Sequence, residues 1–332
     1  MHLRYSKNNK LMNEFVEKSE ISRMEYEPHL LGANPIIQSI IFLIKESFVN
    51  TFMPDHFSRE TVKLPDGGTM GLDWDGPIPT EENPLTQPLI IVAPGLNGNA
   101  YNLYSLALIW KARLMGYKIV TVLFRGAGGM PLTSGKLSFI GCWKDWKFML
   151  EYTINKYNRD RNGKKRVKVF AYGISLGANV LSLYLGKVGK DALNYIDCAA
   201  LYASPWSLYH GHRVFWENYK GYSNYVIGHK LNADIKKEHL PQLKQFISKE
   251  DYDRYEYALN NNPTGLDHID REIFTPMFGY RDLMDMYKDI SIDLYVGNTA
   301  VPTFSLDADD DILTDGKWVP YKEIEKDSSN MI

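Results

Sequence analysis

Cysteine is nearly absent from the chain, with only Cys142 and Cys198 among 332 residues. Two cysteines make no disulfide framework, and no C-x-x-C spacing offers a redox pair or zinc ligands. A reducing compartment is the simpler expectation. An excess of either charge is also lacking, because the formal net charge is -2. No basic face is visible, so nucleic acid is not an expected partner. No apolar run approaches the ~20 residues that a membrane-spanning helix needs. The most apolar early stretch, Ile36 to Ile44, contains Gln38 and Ser39 and leads into Lys45 and Glu46. Residues 1–28 are polar and charged, unlike a signal peptide. The expected location is therefore cytoplasmic or at a membrane surface through peripheral contact. Internal repeats and low-complexity tracts are missing too, and the composition does not suit a disordered chain.

What is present suits a large folded unit. A hydrophobic content of 44% over this length supports one domain with an inserted subdomain, or two modest domains. Residues 1–34 read as a loosely held arm, and 35–50 carry helical periodicity. Between Thr61 and Trp74, Asp66-Gly67-Gly68 is a turn signal separating two short strands, which predicts a β-hairpin. Four short apolar runs follow: Leu89–Ala93, Lys118–Phe124, Val167–Tyr172 and Ile196–Tyr202. Helical stretches over 101–115, 141–157 and 176–188 alternate with them. Buried strands alternating with helices predict βαβ units and an α/β fold with a mostly parallel sheet. From Ser207 to about Thr275 the alternation stops, and a polar, aromatic, helix-like stretch reads as an inserted cap. The alternation resumes with a helix over 280–290 and a last strand, Val301–Leu306. The expected divisions are an arm at 1–34, core at 35–206, cap at 207–276 and core again at 277–332.

Three features carry chemistry. Gly173-Ile174-Ser175-Leu176-Gly177 fits G-x-S-x-G, directly after an apolar strand and directly before a helix. Such a short pattern is weak alone, but this setting is that of a nucleophile elbow, which holds a serine on a tight strand-to-helix turn. Glycines suit such a turn because it is strained and neighbouring chain packs close. The second feature is Ala93-Pro94-Gly95-Leu96-Asn97-Gly98, at the end of an earlier strand. In an α/β-hydrolase fold, the loop there supplies one oxyanion donor and the residue after the serine supplies the other. The backbone N–H groups of Leu96 and Leu176 are the expected pair, since acyl transfer needs donors aimed where the carbonyl oxygen becomes negative. The third feature is Asp309-Asp310-Asp311 after the last strand, where the fold places the carboxylate that orients a histidine.

Together these motifs resemble the abhydrolase-domain 1/3 branch of the α/β-hydrolases, which takes in plant embryogenesis-associated esterases and related bacterial esterases. Asp66-Gly67-Gly68 with Leu72-Asp73-Trp74 resembles that branch's DGG…LDW hairpin. Pro94-Gly95-Leu96 resembles its PGL loop, and Phe124 to Thr133 its RGxGGxPLT loop. Gly173 to Asn179 resembles its GxSLGAN elbow, while Ser204-Pro205-Trp206 and Phe278-Gly279-Tyr280 fit the edges of its cap. The resemblance covers about residues 27–311 in the family's order. It implies Ser175 as nucleophile and Asp311 as triad acid, with Asp310 the alternative. It also implies a carboxylic ester hydrolase acting on lipid-like esters, of phospholipase A1 or monoacylglycerol type.

The family pattern continues with another strand, a Gly-Gly-His turn carrying the triad histidine, and a closing helix. This chain departs from it: no histidine follows Asp311, and the last one is His268. The sheet is therefore expected without its last strand and helix, leaving a bare edge. His210, His212 and His268 are the substitutes to weigh as general base. His210-x-His212 without a third ligand is more often a cap feature than a metal pair. The H-x-x-x-x-D spacing from His229 to Asp234 has no acyltransferase context. Gly126-Ala127-Gly128-Gly129 lacks the Lys-Ser/Thr ending of a P-loop. No metal, nucleotide or other cofactor is called for. Three readings of function stand: a lipid-ester hydrolase, a truncated or silent lipid-binding form without the triad histidine, and a short-chain carboxylesterase.

Overall fold

Apolar side chains on both faces drive the central strands into the interior, as the complete burial of Leu89, Ile91, Val92 and Ala93 illustrates. The computed structural model describes residues 2–25, 34, 37–38, 40–42, 44–45, 57–217, 221–261, 265–311, 313 and 316–332. The helix expected over 35–50 falls largely outside them. The strands are β1 Phe57–Lys63, β2 Thr69–Asp75, β3 Leu89–Ala93, β4 Lys118–Leu123, β5 Val169–Ile174, β6 Cys198–Tyr202 and β7 Thr303–Leu306. The main helices are α1 Lys10–Lys18, α2 Leu103–Leu114, α3 Trp143–Tyr157, α4 Leu176–Val188, α5 Tyr222–Asp234, α6 Lys249–Asn261 and α7 Leu283–Ile290.

The strands form one sheet in the order β1-β2-β4-β3-β5-β6-β7. β2 pairs antiparallel with both β1 and β4, and every other neighbouring pair is parallel. From β3 the chain runs outward to β4, then returns to place β5 on the other side of β3. That reversal opens a crevice at the carboxyl ends of β3 and β5, which is where open α/β sheets bind ligands. β5 extends two residues beyond the expected Tyr172, because Gly173 still pairs with Ala93 and Ile174 with Tyr202. Helix α4 is buried continuously from Leu176 to Gly186 and forms the centre of the core. Between β6 and β7 the described elements are all helical, and they include π-helical turns at Ile235–His239 and Asp270–Phe274.

A buried cation joins the hairpin to the core. The Arg125 guanidinium donates to Asp145 at 2.6 and 2.9 Å, to Asp66 at 3.1 Å and to Ser134 at 2.8 Å. A Cβ on Gly68 would lie 2.1 Å from Arg125 Nη1, so the second glycine of the hairpin turn leaves room for this cation. The turn at 66–68, the loop at 124–134 and α3 are thereby held together.

The N-terminal arm is tied down more firmly than its composition suggests. Asn9 caps α1 and its side-chain amide donates to the Ser329 carbonyl at 2.7 Å. Asp327 accepts from Ser6 at 3.2 Å and Asn8 at 3.0 Å, and Phe15 packs on Phe304 of β7. The edge of β7 is also less open than expected. Thr303 pairs in parallel with Met331, the Ser305 N–H donates to the Ile332 carbonyl at 2.8 Å, and both terminal residues are buried.

Replacing Arg125 with Met should leave the Asp66 and Asp145 carboxylates short of their shared cation. The expected loss is ~3 kcal/mol of folding stability, since removing one member of a buried ion cluster strands the others. A fall in the urea midpoint checks this, and an unchanged midpoint would mean that Arg125 does not hold the hairpin to the core.

Candidate active site

Ser175 joins β5 to α4 in a conformation that L-residues rarely adopt, with φ 53° and ψ -115°. Its N–H donates to the Tyr202 carbonyl at 2.9 Å, and its own carbonyl accepts from Asn179 N–H at 3.1 Å. The strain therefore sits on the serine itself. The flanking glycines serve close approach. A Cβ on Gly177 would stand 2.0 Å from the Ala93 carbonyl oxygen, and one on Gly173 would stand 2.7 Å from Ala178 Cα.

Four residues singled out from the sequence converge on one cavity. Ser175, Leu96, Leu176 and Asp311 all line a cavity of about 180 Å³. Among the described residues, neither the Leu96 nor the Leu176 N–H has a hydrogen-bond partner. Leu96 belongs to a turn closed by Gly98 N–H onto the Gly95 carbonyl at 2.9 Å, and Gly95 N–H is held by the Tyr104 hydroxyl at 3.2 Å. The inner cavity shares Leu96, Ala203, Ile227, Leu231, Asp311 and Leu313 with an outer cleft of about 590 Å³. Asp310 lines the outer cleft only, so of the two candidate acids Asp311 is the one that reaches the serine's cavity. The Asp311 carboxylate also accepts from Leu313 N–H at 2.7 Å.

The described histidines lie elsewhere. Among the described residues none lines either space. His210 stacks on Trp318 at 4.9 Å, and His212 Nδ1 meets the Tyr209 carbonyl at 3.0 Å. His268 Nε2 meets the Ala258 carbonyl at 3.2 Å inside the cap. His239 is buried against Gly126, whose φ of +73° and crowding by the imidazole both call for glycine. Within the described residues no group of three His, Cys, Asp or Glu side chains is arranged for a metal ion.

Three polar residues of the site escape sequence reasoning. Asp234 of α5 accepts from the Asn97 side-chain amide at 2.9 Å, fastening the Leu96 turn to the cap. Nothing in the local sequence announces a contact between residues so far apart. Asp307, just past β7, accepts from Ser204 N–H at 2.6 Å, Ser305 hydroxyl at 2.8 Å and Trp206 Nε1 at 3.2 Å. It fixes the end of β7 to the segment after β6, and burial pushes its carboxyl up. Asp270 lines the inner cavity and accepts from the Tyr287 hydroxyl at 2.7 Å. Burial pushes its carboxyl up to about 7, against the Tyr287 hydrogen bond and with help from nearby Asp267.

A strained serine at a strand-to-helix turn, over a mostly parallel seven-stranded sheet and under a helical insertion, defines an α/β-hydrolase fold. Curated relatives narrow the class. Mouse phospholipase ABHD3 is 25% identical over 282 residues, covering 83% of this chain and 63% of that protein. The putative esterase YheT of Escherichia coli strain K12 is 26% identical, covering 88% of this chain and 84% of that one. Embryogenesis-associated protein EMB8 of Picea glauca is 23% identical over 82% of this chain and 58% of that one. The chain is thus similar to proteins of the abhydrolase-domain 1/3-like branch of the α/β-hydrolase superfamily. The match spans less than two thirds of the mouse relative's length. No family model matches the chain. Among solved structures, the Pyrococcus furiosus esterase Pf2001 covers 83% of this chain and 80% of its own at 14% identity and a TM-score of 0.47. A soluble variant of Saccharomyces cerevisiae monoglyceride lipase covers 81% and 82% at 14% identity and a TM-score of 0.44.

The raised Asp270 carboxyl links stability to pH. An unfolded aspartate titrates near ~3.9. The native state holds this proton more tightly, so the stabilising contribution is complete below about pH 4 and is lost as pH rises through about 7. Asp270→Asn removes the titration. The difference in Tm between Asp270→Asn and the parent should shift in favour of the variant from pH 5 to pH 8. A difference independent of pH would contradict the assignment.

Proposed function

We propose that the chain is a serine carboxylic ester hydrolase acting on lipid-like esters, of phospholipase A1 or monoacylglycerol type. The observation that carries this reading is the convergence of Ser175, Leu96, Leu176 and Asp311 on one largely apolar cavity, the two leucines having N–H groups without a partner among the described residues. In the proposed reaction, Ser175 attacks the ester carbonyl while Leu96 and Leu176 N–H groups hold the oxyanion. The alcohol departs, and water then releases the fatty acid from the acyl-serine. Asp311 is the triad acid of this reading; the general base that would take the Ser175 proton and return it to the departing alcohol is not among the described residues lining the cavity. The helical insertion over 207–276 acts as a cap, and Leu208, Ile227, Leu231, Leu266 and Phe274 from it supply an apolar wall suited to an acyl chain. Peripheral contact with a membrane surface fits such a substrate; among the described residues, no helix is long and apolar enough to cross one.

One observation favours a second reading, a lipid-binding form without turnover: no described histidine lines the cavity. A missing base costs several orders of magnitude in rate and leaves residual catalysis from the oxyanion hole and binding.

Fluorophosphonate labelling and ester turnover separate the two. The hydrolase reading expects labelling that Ser175→Ala abolishes, and turnover of p-nitrophenyl decanoate above that of the acetate. Decanoate binding without labelling or turnover would establish the silent form. Equal turnover of acetate and decanoate would leave a short-chain carboxylesterase. Where turnover is measurable, Asp311→Asn should lower kcat by about a hundredfold or more and Asp310→Asn by only a few-fold. The reverse order would move the triad acid to Asp310.

A further inference from the structure

The inner cavity holds two polar groups that the proposed reaction does not use. Ser138 Oγ is fully buried and has no hydrogen-bond partner. Asp270 receives one bond, at Oδ2 from Tyr287, and no cation lies within ion-pairing distance of it among the described residues. Around them the wall is hydrocarbon, including Phe139, Ile140, Leu266 and Phe274. Phe139 stacks on Phe274 at 5.9 Å, which places the chain next to Ser138 and the turn carrying Asp270 against each other. Asp270 opens the π-helical turn Asp270–Phe274, a backbone irregularity of the kind often found at functional sites.

Leaving a buried hydroxyl such as Ser138 without a partner is costly and calls for an explanation, and the half-buried Asp270 carboxyl adds a second polar group to the same apolar wall. A purely hydrocarbon acyl chain in this cavity would satisfy neither. A hydroxyl group is a chemical match for either, since it donates and accepts, as a neutral carboxyl does. We propose that Asp270 and Ser138 form a hydroxyl-recognition site inside the cavity, selecting lipid esters that carry a hydroxyl group over those that do not. The inference rests on the ester-binding reading of the cavity and specifies its substrate class further. The hydroxyl can come from the acyl chain or from the alcohol side of the ester, as in a monoacylglycerol.

The test uses the full chain with Ser175→Ala, so that ligands bind without turnover. Isothermal titration compares methyl decanoate with methyl ω-hydroxydecanoate and with monodecanoylglycerol. At least one hydroxylated ester should bind about tenfold more tightly than methyl decanoate. Whichever ester carries the preference identifies the side of the ester that reaches Asp270. Adding Asp270→Leu should bring the affinity ratio close to one, and Ser138→Ala should reduce it. Ser138→Ala also keeps the test decisive if Asp270→Leu fails to fold. Equal Kd values for all three ligands, or a preference that the second substitutions leave intact, would overturn the hydroxyl site alone. If none of the three esters binds, the ester reading of the cavity falls and takes this site with it.

Discussion

The approach of Gly177 to the end of β3 is the contact on which the site depends. The first turn of α4 crosses so near the Ala93 carbonyl that even a methyl group would overlap it. That crossing sets the start of α4 beside the loop leaving β3, and so brings Leu96 and Leu176 onto one cavity. It also explains the division of labour in the motif. The glycines give up volume so that two chain segments can meet, while Ser175 takes the unfavourable dihedral angles that lift it from the sheet. A strained residue persists only when its surroundings over-determine it. Here a hydrogen bond to the Tyr202 carbonyl and a fully buried helix supply that constraint.

The helical segment between β6 and β7 is attached to the core beside the candidate site. Asp234 holds Asn97 beside Leu96, His239 sits against Gly126, and Tyr287 of α7 reaches Asp270. Each contact joins the insertion to a loop or helix bordering the cavity. Movement of the insertion would therefore disturb the Leu96 turn and the Asp270 carboxyl together. Burial beside the apolar wall of the cavity makes a charge expensive and pushes the Asp270 carboxyl up.

Much of the fold can be read from the chain because its signals are local. The alternation of Leu89–Ala93, Lys118–Phe124 and Val167–Tyr172 with helical stretches announces a parallel sheet. Gly173 to Gly177 announces the turn that joins strand to helix. The ends of β5 are less visible, since pairing with β3 and β6, and not composition, decides where the strand stops. The aspartates divide in the same way. Asp309-Asp310-Asp311 stands out as a cluster at a strand end, yet only tertiary placement distinguishes Asp311 from Asp310. Asp234, Asp270 and Asp307 do not stand out, because each acquires its role from partners brought near by folding. The arm at 1–34 reads as loose for a related reason: its polar composition suggests solvation, but its Asn and Ser side chains meet Asp327 and Ser329.

That last contact bears on the order of assembly. Residues 6–9 are synthesised well before the residues they bind, which lie more than 300 positions later. Throughout synthesis the arm has no native place to dock, while β3, β5 and the helices between them can already collapse around shorter loops. Contacts that close the longest loops require the most chain entropy to be lost first. The seam between the arm, β7 and residues 327–332 is thus a late-closing one, and until it forms a nascent chain presents the flank of β7 to its neighbours.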